Sequence, residues 1–333
     1  MVGAVPIFCS CASIKSITYM TSNKAPIKVV AGIIRDPAGR VLLGQRRPDT
    51  HLAGLWEFPG GKVESGETST EALQRELKEE LGINILKTQP FICITHHYPE
   101  KSIELQAVEV QSWHGRIQSC EQQKLQWVKI IDLANEAMPA ADIPVAKALQ
   151  LPAQLRISPA CKDLDTYLQC LNSDLARGCN FIQLRATNLS LAEQAEFIAK
   201  AYQINKRAKA TIMVNFGADP GRYDNQLAGL HLKSTQLQRL QQRPIARHKL
   251  LSAACHNLDE IRLAEKVQVD FIVLSPLYAT KTHPSASPLG EAGFRDLCKQ
   301  TSLPIYALGG VQPQDLDKIR TFGAQGVAGI SAF

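Results

Sequence analysis

Gly61-Lys62-Val63-Glu64-Ser65-Gly66-Glu67, seven further residues, and then Arg75-Glu76-Leu77-Lys78-Glu79-Glu80-Leu81-Gly82-Ile83 form the stretch from which the rest of the chain is read. Thr68 followed by Glu71 is a capping-box signal that predicts a helix from Thr68 onward. Gly82 is the expected C′ residue that closes it. On that helix Glu76 and Glu80 are four residues apart and Glu76 and Glu79 three apart, so their side chains are neighbours. Like charges so spaced destabilise a bare helix. A divalent cation such as Mg2+, which takes hard oxygen ligands, gives the cluster a physical purpose.

Outward from this segment, the first half reads as mixed α+β. Ile27 to Ile34 and Val41 to Arg46 are apolar, β-branched-rich runs separated by Asp36-Pro37-Ala38-Gly39, so a hairpin is expected. Leu55 to Phe58 leads into Pro59-Gly60-Gly61. Further strands are expected at Phe91–His97, Ile103–Val110 and Gln126–Lys129, and a last helix at Ile143–Gln150. Leu151-Pro152 is the expected boundary. Beyond it strands and amphipathic segments alternate, as in a parallel sheet. The strands are expected at Leu155–Ile157, Phe181–Arg185, Thr211–Asn215, Gly229–Leu232, Leu250–Ala254, Phe271–Ser275, Pro304–Leu308 and Val327–Ile330. Amphipathic segments such as Leu189–Arg207 and Leu258–Val267 separate them. Eight such units predict an α/β TIM barrel. Phe333 follows the eighth strand directly, so a full closing helix is not expected. Three segments result: 1–23 as a tail or an over-long gene start, 24–151 as the first domain and 152–333 as the barrel.

A chain of 333 residues, 45% hydrophobic, has enough apolar content for two cores. Its net charge of +6 suits phosphate-bearing small molecules. Basic tracts interleaved with aromatics are absent, so no nucleic-acid partner is expected. No apolar run is long enough to span a bilayer, so no membrane partner is expected either. Val2 to Phe8 is too short and too poorly flanked for a signal peptide. Nine cysteines without a Cys-x-x-Cys pair read as reduced thiols in a cytoplasm.

The Gly61–Ile83 pattern resembles the Nudix box. Nudix enzymes hydrolyse nucleoside diphosphates linked to another moiety, using metal-activated water. The resemblance implies a Nudix fold, a mixed sheet between helices, and Mg2+ as cofactor, with Mn2+ as the alternative. It assigns the Gly61 carbonyl, Glu76, Glu79 and Glu80 to the cation. Glu121, six residues before Trp127 as in MutT-type relatives, joins them. Arg75 orients the cluster by pairing with Glu67 or a ligand. The proton acceptor is Glu79 or Glu121.

Gln45-Arg46-Arg47, Gly54-Leu55-Trp56-Glu57-Phe58-Pro59-Gly60-Gly61-Lys62 and Met138-Pro139-Ala140-Ala141-Asp142-Ile143-Pro144 resemble the MutT branch, which clears oxidised nucleoside triphosphates. The expected activity is nucleotide-pool sanitation in the service of DNA repair: 8-oxo-dGTP to 8-oxo-dGMP and pyrophosphate. Arg46, Arg47, Phe58 and Asp142 are the expected substrate contacts. Many 8-oxo-dGTP hydrolases carry asparagine where Asp142 stands. An ionised aspartate only accepts hydrogen bonds, whereas asparagine also donates. Relatives that act on CTP or oxidised pyrimidine nucleotides carry Asp in a similar run, so purine and pyrimidine both remain open.

The second half resembles thiamine-phosphate synthase and its TenI-like relatives. The matching residues include Gln183-Leu184-Arg185, Asn215, Gly229-Leu230-His231-Leu232, Cys255-His256, Ser275-Pro276, Ala307-Leu308-Gly309-Gly310 and Gly329-Ile330-Ser331. The resemblance implies a thiamine-related phosphate ligand held by Arg185, Gly309, Gly310, Gly329 and Ser331. Four positions depart from the family. Phe216 and Gln236 stand where it has aspartates for Mg2+, Thr187 where it has a lysine, and His283 where it has another, with Lys281 nearby. Loss of both carboxylates removes the means of neutralising a pyrophosphate leaving group. Ser275 stands where the thiazole tautomerases place a histidine. Transferase chemistry, tautomerase chemistry and a non-catalytic sensor of phosphate ligands are the three alternatives for the barrel. His231 and His256, at expected strand ends, are read as hydrogen-bonded structural residues.

Overall fold

The computed structural model describes residues 25–215, 228–280 and 287–331. The expectations placed on residues 1–23, Phe216, Lys281 and His283 lie outside these residues.

In the first half, β1 (Ile27–Ile34), β2 (Val41–Gln45), β3 (Trp56–Glu57) and β4 (Gly60–Lys62) precede the helix α1 (Ser69–Leu81). Then come β5 (Asn84–His97), β6 (Ser102–His114), β7 (Leu125–Val128) and α2 (Asp142–Leu149). Two sheets form: a mixed one in the order β4-β1-β6-β5 and an antiparallel one in the order β3-β2-β7. Alternation along β1 explains the layering. Val30 and Ile34 face α1 through Leu73, Leu77 and Leu81. Ala31 and Ile33 face the opposite way, toward Val145 and Leu149 of α2.

The hairpin expected from Ile27–Ile34 and Val41–Arg46 does not form. A single bridge, Arg35 to Val41, joins the two runs. The turn exists, with Asp36 Oδ1 accepting from the amides of Ala38 and Arg40 at 3.0 and 2.8 Å. After it the chain parts into different sheets. β1 pairs in parallel with β6 from Ile27↔Ile103 to Ile34↔Val110, and Arg35 is tied to Glu109 at 2.8 Å. Both edges of β2 are taken, by β3 and β7. An apolar run signals a buried strand but does not encode its neighbour.

The second half is a closed parallel barrel of β8 (Gln154–Ile157), β9 (Phe181–Leu184), β10 (Thr211–Val214), β11 (Gly229–Leu232), β12 (Leu250–Cys255), β13 (Phe271–Leu274), β14 (Ile305–Ala307) and β15 (Gly326–Gly329). Its helices are α3 (Leu164–Ala176), α4 (Leu191–Ala208), α5 (Ser234–Leu237), α6 (Leu258–Val267), α7 (Gly290–Cys298) and α8 (Leu316–Arg320). Period-two alternation sorts the barrel's inward residues by height. Phe181, Phe271 and Tyr306 pack edge to face at its base, with ring centroids 5.1 to 5.9 Å apart. Two residues further along β9 the polar Gln183 follows Phe181, and Arg185 follows it at the mouth, while Val273 and Leu308 keep the corresponding positions beyond Phe271 and Tyr306 apolar.

The halves meet where α8 lies on β5. Gln89 donates to Asp317 at 2.6 Å, and the Arg320 guanidinium sits 5.2 Å from the centre of the Phe91 ring. Among the described residues no helix is long and apolar enough to cross a membrane.

Candidate functional site

Two cavities hold most of the expected site residues, one in each half, while Arg75 and Glu79 line a third, along α1. The first, about 340 Å³, opens between β2, β3, the start of β4 and the residues leading into α2. Its wall is laid down by the turn at Pro59-Gly60-Gly61. Gly60 has φ +148°, and a Cβ there would lie 2.2 Å from the Val30 carbonyl oxygen, so only glycine fits. At Gly61 a Cβ would lie 2.2 Å from the Glu76 carboxyl carbon. The strand therefore runs directly against the carboxylates of α1.

The helix starts and stops where the sequence predicts. Thr68 and Glu71 form the reciprocal capping box, and Gly82 is left-handed at φ 69°. The interior face, Ala72, Leu73, Leu77 and Leu81, is buried, which turns the acidic residues to the rim. Arg75 gathers them. Its guanidinium donates to both oxygens of Glu67 at 2.8 and 3.0 Å, to Glu76 at 2.8 Å and to the Lys62 carbonyl at 3.0 Å. A longer contact of 3.4 Å reaches Glu79, which stays half exposed. The Arg75 hydrogen bonds hold the Glu67 carboxyl down at about 2.

Glu80 behaves differently. It lines the cavity, and one of its oxygens accepts from the Gly60 amide at 3.0 Å. Burial, with the nearby carboxylates Glu57, Glu76 and Glu121 adding to it, pushes its pKa up to about 8 against the Gly60 bond. Among the described residues no three His, Cys, Asp or Glu side chains already meet as a coordination shell. Glu76 is held by Arg75, and Glu121 lies across the cavity, 3.8 Å from Arg47. The donor chemistry nonetheless suits a hard cation. Every candidate donor is oxygen, and the crowded negative charge that burdens Glu80 is what a divalent ion offsets.

The remaining expected contacts separate. Arg46, Arg47 and Asp142 line the cavity. Arg46 is engaged by an ion pair to Glu57 and by a 2.6 Å bond to the His51 carbonyl. Among the described residues the Arg47 side chain makes long contacts to Asp49 and Glu121, at 3.5 and 3.8 Å. Phe58 is buried in the core beside Val145 and Leu149 and does not line the cavity; its amide donates to Asp142 at 3.3 Å. Burial first, then Glu57, pushes the Asp142 carboxyl up to about 7. Glu57, whose carboxyl burial also raises, escaped the sequence reading. The signal was there: it is the one acid between Trp56 and Gly60, in a stretch otherwise apolar or glycine. Tyr98 and Lys101, from the turn between β5 and β6, also line the cavity, and nothing in the sequence linked that turn to Gly61.

The second cavity, about 930 Å³, is the barrel mouth at the C-terminal strand ends. Arg185, Gly309, Gly310, Gly329 and Ser331 all line it. Gly309 and Gly310 have φ +100° and +69°, and a Cβ on either would come within 3 Å of Pro276 or Tyr278. His231 is fully enclosed, with Nδ1 2.8 Å from the Ser252 hydroxyl; burial, then Arg185, pushes it down to about 3. His256 pairs with Glu260 at 2.8 Å. Gln236 accepts from the Lys233 amide at 2.9 Å, and Ser275 lies on the cavity wall. Lys233, at the end of β11, was not anticipated; burial and Arg185 lower its pKa.

Comparison with known proteins divides the chain the same way. Residues 30–148 match the family described as NUDIX domain, and residues 156–333 the family described as thiamine monophosphate synthase. The chain is 34% identical to the 8-oxo-dGTP diphosphatase of Escherichia coli (strain K12), over 37% of this chain and 96% of that protein. It is 42% identical to the CTP pyrophosphohydrolase of the same organism, over 37% of this chain and 90% of that one. It is 28% identical to the thiamine-phosphate synthase of Chloroflexus aurantiacus, over 49% of this chain and 75% of that protein.

Proposed function

The chain belongs to the NUDIX family through its first half and to the thiamine monophosphate synthase family through its second, and on that premise we propose a division of labour between the two cavities. The first half is a pyrophosphohydrolase. Its substrate is an oxidised nucleoside triphosphate such as 8-oxo-dGTP, cut to the monophosphate and pyrophosphate. The boundary between the halves falls at Leu151-Pro152.

The observation that carries this assignment is that Glu76 abuts Gly61 and Glu80 accepts from the Gly60 amide beside a cavity that Gly60, Gly61, Glu80 and Asp142 all line. Gly61, Glu76, Glu79, Glu80 and Glu121 would hold Mg2+ or Mn2+. When bound, such an ion supplies charge neutralisation along the phosphoanhydride and a water of lowered pKa. The chain's own residues do the rest. Arg75 fixes Glu67 and Glu76 and touches the half-exposed Glu79 only at 3.4 Å. Glu79 or Glu121, both solvent-accessible carboxylates, takes the proton from water. Arg47, the less engaged of the two arginines, meets the phosphates, while Arg46 braces Glu57 beneath the base. Asp142 reads the base edge from the cavity wall.

Asp142 also favours a second substrate class, CTP or an oxidised pyrimidine triphosphate. A carboxyl poised near neutrality presents a donor and an acceptor when protonated and two acceptors when not. Hydrolysis of a panel of purine and pyrimidine triphosphates, oxidised and plain, by the full chain with Mg2+ ranks the two classes. No turnover of any member counts against both.

The barrel mouth, in this proposal, holds a phosphate through Arg185, Gly309, Gly310, Gly329 and Ser331. Synthase chemistry is not proposed for it, because Gln236 and Thr187 replace a metal carboxylate and a lysine.

A further inference from the structure

Two buried amide oxygens in the barrel mouth have no hydrogen-bond partner among the described residues: Oε1 of Gln183 and Oδ1 of Asn215. The residues are 2% and 6% exposed. Gln183 stands on β9 and Asn215 directly after the adjacent β10, two residues beyond Met213, the register partner of Gln183; both line the cavity. A buried acceptor without a donor costs about 1–3 kcal/mol. Two such acceptors on one wall of a cavity call for a ligand that brings N–H groups to them.

Charge narrows the class. The described lining of this cavity contains Arg185 and Lys233 and no aspartate or glutamate. His231, sealed against Ser252, contributes no charge at neutral pH. Divalent cations require oxygen ligands, commonly carboxylates. An anion bound here is therefore neutralised by the protein's own cations, which suits a monoester better than a pyrophosphate.

Topology narrows it further. The closed order β10-β11-β12-β13-β14-β15-β8-β9 sets β14, which leads into the Gly309-Gly310 turn, diametrically across the mouth from β10, with Gly329 on β15 two strands from β9. The ligand must span the barrel, with a phosphate at the glycine wall and an amino-bearing ring at Gln183 and Asn215. A thiazolium phosphate carries a fixed positive charge, which would face two cations and no carboxylate. A nucleotide carries none.

We propose that the barrel mouth is a receptor, independent of divalent metal, for a nucleoside monophosphate with an amino-bearing base. This rests on the hydrolase assignment above, since the first cavity would release that class of molecule. The two halves would then share one compound, as product of the first and ligand of the second.

Calorimetric titration of the full chain in EDTA tests it, with dCMP, dGMP, thiamine phosphate and inorganic phosphate as separate probes. One nucleotide is expected to bind at least about tenfold more tightly than inorganic phosphate or thiamine phosphate, through its added base contacts. Arg185→Ala is expected to weaken that binding about tenfold or more. Lys233→Ala, at the half-exposed rim, serves as the second variant should Arg185→Ala fail to fold. A requirement for Mg2+, affinity unchanged in the folded variants, or tighter binding of thiamine phosphate than of either nucleotide would overturn the proposal. The titration needs no turnover. A chain that binds the monophosphate but cleaves no triphosphate keeps the receptor and loses only the hydrolase assignment.

Discussion

The Glu76 carboxylate occupies the space that a side chain on Gly61 would fill, its carboxyl carbon 2.2 Å from the position of that missing Cβ. Strand and helix are thus fitted to each other at the point where the cation would sit. Gly61→Ala should displace Glu76 from its bond to Arg75. An overpacked contact costs about 1–3 kcal/mol in stability. A shift of about 1 Å in a catalytic carboxylate costs roughly a hundredfold in rate. Turnover measured beside thermal melting checks this; a variant that melts lower yet turns over at the native rate would contradict it.

Glu80 makes stability depend on pH. Its folded pKa, about 8, lies above the ordinary value of 4.5 because the carboxyl is buried among other acids. The stability tied to its proton is therefore complete below the unfolded value and is lost as pH climbs through about 8. Asp142, raised to about 7, acts in the same direction. Denaturant midpoints from pH 5 to 9 in chelator should fall for the native chain, and fall less for Glu80→Gln. Parallel curves would show that Glu80 is not the group responsible.

Asp142 should give base recognition its own pH signature. Below about 7 its carboxyl is neutral and offers a donor; above, it only accepts. Asp142→Asn should flatten the dependence of KM on pH between 6 and 8 while leaving the pH dependence of kcat, set elsewhere, in place. An unchanged KM profile would remove Asp142 from the base site.

Much of this was legible in the sequence, and the exceptions have physical causes. The helix over Ser69–Leu81 is written twice, in its caps and in its buried stripe. The eight barrel strands are marked by short apolar runs between helical segments, and the alternation Phe181, Gln183, Arg185 already separates barrel base from mouth. Strand pairing was not legible: Ile27–Ile34 finds its partner at Ile103–Val110, far along the chain, because sheet neighbours are chosen by tertiary packing. Nor was the role of Lys233, whose setting depends on Arg185 arriving from a different strand.

Arg320 joins the Gln89–Asp317 hydrogen bond in tying the two halves together. Its guanidinium is buried, donates to the carbonyls of Pro90 and Gln325 at 3.4 Å each, and lies over Phe91. Arg320→Ala should destabilise that junction by about 1–3 kcal/mol, leaving two carbonyls without their donor. Differential scanning calorimetry should then resolve two transitions where the native chain gives one. A single, unshifted transition would mean the junction is held elsewhere.

The most direct test of the whole account is turnover of 8-oxo-dGTP and CTP with Mg2+ by the native chain, by Glu79→Gln and by Glu80→Gln. Native protein should release monophosphate and pyrophosphate, and each variant should lose about a hundredfold or more in rate while staying folded. Native rates in both folded variants would contradict the assignment of these carboxylates, and with it the chemistry placed at Gly61.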